Sequence, residues 1–170
     1  MMRHKLGKWN LDELVKNPTR AVFDQKLAKI ESNAKRFEKI KKSLNPKVSS
    51  GKFLRLLRDI ENITEKSSVI GGYASLRYSE NTQSDEATSL LTRISKFGSD
   101  IENRLLFFDL WWKKQVDEKN ARRLIKSAGQ FSEYLRFKRL LAKYSLSEPE
   151  ERIINTLDVT GVSALVKLYD

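Results

Sequence analysis

Cysteine is missing from this chain altogether, and histidine occurs once, as His4. Without cysteine there is no disulfide framework and no thiolate chemistry, which fits a reducing compartment, so a cytoplasmic location is expected. With one histidine and no cysteine, the usual donor set of a structural or catalytic zinc site is lacking as well. Proline (3) and glycine (7) are too scarce for a collagen-like, low-complexity or turn-rich all-β chain. Long apolar runs are also absent. The longest is Leu105–Phe108, far below the ~20 residues that span a bilayer, so no membrane partner is expected. Met1–Asn10 is basic but has no apolar stretch, and no secretory signal is expected there.

What is present is charge and helical periodicity, in 170 residues suited to one domain. The formal charge of +11 is unevenly spread. Residues 1–47 hold thirteen Lys/Arg against five Asp/Glu, and residues 113–143 hold ten against three. Residues 144–170 are acidic, with five Asp/Glu against two Lys/Arg. Two basic blocks could attract phosphate by counterion release. The lysines of the first block, however, interleave with an apolar stripe and with Glu31 and Glu38, as on a solvated helix. No RNA-binding motif, zinc-finger spacing or recognition helix accompanies them, so nucleic acid is a disfavoured partner.

Apolar residues recur at Phe23, Leu27, Ile30, Ala34, Phe37 and Leu44, on one face of a helix running from a cap at Asn17-Pro18 to Asn45-Pro46. A second helix follows Ser49-Ser50-Gly51 with the stripe Phe53, Leu56, Leu57, Ile60, Ile63, Ile70, Tyr73, Ala74 and Leu76; Gly71-Gly72 marks a kink, a break or a close helix contact. Thr82-Gln83-Ser84-Asp85 reads as a capping box that opens a third helix ending near Trp111-Trp112. Shorter helices are expected from Asp117 to a break at Gly129, over 131–143, over 150–157 after the capping box Ser147-Glu148-Pro149-Glu150, and over 163–169. Sustained period-two alternation is not found. The fold class is all-α: long antiparallel helices in a bundle with shorter helices at the C-terminal end. The expected division is a basic segment (1–16), the bundle (17–145) and the start of a following helical region (146–170).

No catalytic, cofactor-binding or metal-ligating residue stands out. His4 lies in a basic terminus with no orienting partner in view, and pairs such as Glu61 with Glu65 or Asp100 with Arg104 are ordinary on a charged helix. No Gly-x-x-x-x-Gly-Lys surrounds Gly71-Gly72, which rules out a phosphate loop. Trp111 and Trp112 are core or interface material before they are a stacking platform. Neighbours on an α-helix sit ~100° apart, so one of the two is expected to meet something other than the main core.

Several longer stretches carry more. Trp9-Asn-Leu-Asp-Glu-Leu14, Tyr73-Ala-Ser-Leu-Arg-Tyr-Ser79, Asn103-Arg-Leu-Leu-Phe-Phe-Asp-Leu-Trp-Trp112, Leu146-Ser-Glu-Pro-Glu-Glu-Arg-Ile-Ile-Asn155 and Thr160-Gly-Val-Ser-Ala-Leu-Val-Lys-Leu-Tyr-Asp170 stand in the order of similar segments in the oligoendopeptidase F family. The chain thus resembles the N-terminal helical part of zinc metallopeptidases related to thimet oligopeptidase. The resemblance implies a peptide-cleaving enzyme whose zinc is held by a His-Glu-x-x-His helix and a downstream Glu. No such motif can be built from one histidine, so no catalytic or metal residue carries over, and zinc is implied only for a longer enzyme.

The expected function is therefore a non-catalytic N-terminal portion that forms a wall of the peptide channel and is inactive alone, with short peptides as substrates of the full enzyme. A stand-alone helical interaction protein and a basic nucleic-acid binder are the alternatives. A missing catalytic domain, or self-association, should cover an apolar patch whose candidate partner-interface residues are Trp111, Trp112, Leu165, Leu168 and Tyr169.

Overall fold

The computed structural model describes residues 9–161. Three long helices are built first. In α1 (Arg20–Glu38), Phe23, Leu27, Ile30, Ala34 and Phe37 are buried, the expected stripe. Its cap is Thr19, whose Oγ1 accepts from the Val22 N–H at 3.3 Å. Asn17, expected as the cap, lies two residues too early. It takes a left-handed φ of 50° ahead of Pro18, a conformation that asparagine tolerates better than most residues. A 3₁₀ turn, Lys39–Ser43, finishes the rod before Pro46.

Helix α2 (Ser50–Glu80) is capped by Ser49 and runs unbroken through Gly71-Gly72. A Cβ built on either glycine meets nothing within 4 Å, so the pair is neither a break nor a close helix contact. Helix α3 (Asp85–Leu110) is capped by Ser84, whose Oγ accepts from the Ala87 N–H at 3.2 Å; Thr82 is not the cap. Chain order and contacts give up-down-up packing. Asp24 pairs with Arg93 and Glu38 with Arg104 at 2.9 Å, so α1 and α3 run parallel. Phe23 meets Tyr73 and Phe53 meets Phe108, which sets α2 antiparallel to both.

At its end α3 opens into a π-helical turn, Trp111–Gln115, in which the Val116 N–H reaches the Trp111 carbonyl at 3.2 Å. Then follow α4 (Glu118–Lys126), started by Asp117, and α5 (Ser132–Leu140), reached through Gly129 at φ 56°. A 3₁₀ turn (Leu141–Tyr144) leads to α6 (Glu148–Thr160), which is longer than the periodicity predicts. Its expected capping box is present: the Ser147 N–H donates to the Glu150 carboxylate at 2.8 Å. No strand occurs among the described residues. The chain is an all-α bundle. The helix expected over 163–169 lies outside the described residues.

Two consequences are measurable. Gly71→Ala and Gly72→Ala should each raise stability by about 0.5–1 kcal/mol, because the helix loses a flexible residue and the new methyl meets no obstacle. Phe53→Ala, at a site 1% exposed and ringed by Phe108, Trp111 and Trp112, should cost about 3–5 kcal/mol in urea denaturation.

Candidate functional site

Where α5 folds back over α2 and α3, a groove of about 460 Å³ opens on the side of the bundle, with α6 at one end. Its floor is apolar: Leu57 and Ile60 from α2, Leu105 and Phe108 from α3, then Trp112 and Leu135. The rim is polar, with Glu61, Glu102, Asp109, Tyr134, Lys138 and Asn155. An apolar slot with a few convergent polar groups is the usual form of a binding site.

The far wall is fastened by hydrogen bonds to the π turn. Trp112 Nε1–H donates to the Leu135 carbonyl at 3.0 Å, and Arg139 donates to the carbonyls of Trp112 and Val116 at 3.1 and 2.8 Å. The Arg139 guanidinium also lies over the Trp112 ring. On the rim, Asp109 accepts two ammonium groups, Lys113 at 2.5 Å and Lys138 at 2.9 Å. Burial works against the Lys138 charge, but the hydrogen bond and charge of Asp109 outweigh it, and its pKa rises. Asp109 thus bridges the two lysines.

Glu102 behaves differently. Its pKa is raised, first by lost solvation and then by repulsion from Asp158. The groove thus has one ion cluster and, toward α6, an exposed carboxylate whose pKa is raised. Asn155 ties that end down, its backbone carbonyl accepting from Ser99 and its amide donating to Asn103, each at 3.0 Å.

The sequence-predicted patch is not assembled as expected. Trp111 and Trp112 are both 2% exposed, which corrects the expectation that one of them faces away from the core. The wide π turn lets both pack inward, and Phe53 touches each, with ring centroids at 6.2 and 5.3 Å. Neither indole is available as a docking surface. Leu165, Leu168 and Tyr169 lie outside the described residues. Exposed apolar side chains are instead found on α5 and α6, among them Phe137, Leu140, Ile153 and Leu157. Their spacing was visible, but only packing shows which face of a short helix turns outward.

The rim residues Glu102, Asp109 and Lys138 were not singled out from sequence. Asp109 and Lys113 stand four apart, but Lys138 arrives from a different helix. The zinc implied for a longer enzyme finds no donor set: among the described residues no group of three or more His, Cys, Asp or Glu is placed to hold a metal ion. None of the described helices is long and apolar enough to cross a membrane. What fold and groove define is an all-α bundle with a lateral apolar slot. Comparisons with family models, curated proteins and solved structures return no match.

Glu102→Gln should stabilise the chain slightly at neutral pH, the effect being small because Glu102 keeps contact with solvent. A carboxyl whose folded pKa is raised destabilises the native state wherever it is ionised, and the penalty fades as pH falls through that folded pKa. The stability difference between variant and parent, followed by urea titration across pH, should close as acid protonates the native carboxyl and be absent below the usual carboxylate range. A variant less stable than the parent at neutral pH would contradict this account of Glu102.

Proposed function

We propose that this chain is the N-terminal, non-catalytic portion of a zinc-dependent oligoendopeptidase, in which it forms a wall of the peptide-binding channel. The observation that carries the reading is the groove between α2, α3 and α5. It has an apolar floor for side chains, and along its edge lie Glu61, Tyr134 and Asn155, groups able to hydrogen-bond or pair with an extended backbone and its amine. The ordered segments resembling oligoendopeptidase F support it from the sequence, and two of them, 103–112 and 146–155, contribute groove residues. Chemistry in such an enzyme requires a polarised zinc-bound water, and the zinc ligands belong to a portion other than this one. The chain's contribution is to bind and orient peptide.

The test is a titration of the isotopically labelled chain with a pool of short unstructured peptides, alongside a cleavage assay with and without added zinc. Amide shifts should concentrate at Leu106, Phe131, Tyr134 and Lys138, with micromolar to millimolar affinity. Leu105→Asp, which places a charge in the slot at a partly exposed position, should weaken binding at least tenfold. No peptide should be cleaved. Peptide hydrolysis by this chain, or the absence of any peptide-induced shift at the groove, would overturn the proposal.

A further inference from the structure

Helices α5 and α6 leave apolar side chains on their outer faces, unlike the rest of the bundle. On α6, the residues that meet α3 and the end of α1 are polar. Glu148 accepts from Lys41 at 2.9 Å, Arg152 pairs with Glu148, and Asn155 bonds Ser99 and Asn103. One hundred degrees per residue then puts Ile153, Ile154 and Leu157 on the opposite side, and they are 57%, 48% and 58% exposed. On α5, Leu135 and the paired Lys138 and Arg139 point inward, while Phe137 and Leu140, and Tyr144 just beyond, are 57–70% exposed.

With relative exposures of 48–70%, these four aliphatic and two aromatic side chains together present on the order of 600 Å² of surface, divided between two helices. With a polar rim, that approaches the ~800 Å² per partner of a stable interface.

The charges say what fits. Residues 132–146 hold four Lys/Arg against one acid, and residues 147–161 hold four acids against one Arg. Lys138, Arg139, Glu148 and Arg152 are turned inward and paired, so the charges left beside the apolar faces are Arg136, Lys143 and Glu133 on the α5 side and Glu150, Glu151 and Asp158 on α6, a basic margin against an acidic one. A two-fold axis places each against the other's complement, and an isologous interface needs that self-complementarity.

We propose that this chain self-associates as a two-fold dimer in which α5 of one copy packs on α6 of the other. The inference stands on these two helices alone and does not depend on the peptide-channel reading.

Sedimentation equilibrium of the 170-residue chain in the micromolar range should give a dimer. Ile153→Asp with Leu157→Asp, and separately Phe137→Asp, should weaken association at least a hundredfold while circular dichroism stays unchanged, since these side chains contribute little to the monomer core. The absence of native cysteine gives a second readout. F137C and I153C should cross-link when the two variants are mixed, more than either does alone. A chain that stays monomeric through hundreds of micromolar overturns the proposal, whether residues 162–170 cover the face or nothing does. So does a dimer indifferent to these substitutions, or one that cross-links only like with like.

Discussion

Everything on the C-terminal side of this protein depends on the burial of two consecutive tryptophans. Regular α-helix would send Trp111 and Trp112 in directions ~100° apart. The chain buries both by widening into a π turn and wrapping α4 and α5 around its end. Each indole then contacts Phe53, and the Trp112 N–H is satisfied by Leu135 on α5. Arg139 completes the junction by donating to two carbonyls released at the π turn. A buried polar group left without such partners costs about 1–3 kcal/mol. Trp111 Nε1, which has no protein partner, marks where the junction is least well satisfied.

That junction also creates the groove. Because α5 is held by Leu135 and Arg139, its remaining contact with α2 and α3 is loose enough to leave a slot of about 460 Å³. The ion cluster of Asp109 with Lys113 and Lys138 lies along the slot and links α3 to α5. Such partly exposed pairs contribute little stability singly. Their value is in fixing the height of the α5 wall over an apolar floor.

The bundle thus divides into two regimes. Helices α1 to α3 bury their apolar stripes in one another, and their ion pairs, such as Arg104 with Glu38, sit outside the core. Helix α5 docks through Leu135 together with the paired Lys138 and Arg139, α6 docks through polar side chains, and both leave apolar side chains such as Phe137 and Leu157 exposed.

How much of this was legible in the residues follows from the range of the interactions. The helices, the starts at Asp117 and Ser147, the break at Gly129 and the buried stripe from Phe23 to Phe37 depend on neighbours within a turn or two. They were therefore readable from spacing. Thr19 and Ser84 displaced the expected caps by two residues, because the choice between adjacent cap-formers is made by the geometry of the preceding loop. The placement of Trp111 and Trp112, the meeting of Asp109 with Lys138, and the outward face of α6 involve partners 23 to 56 positions away. A helix carries an apolar face whichever way it turns. Which face is buried is decided by what arrives opposite it, and that is a property of the tertiary structure alone.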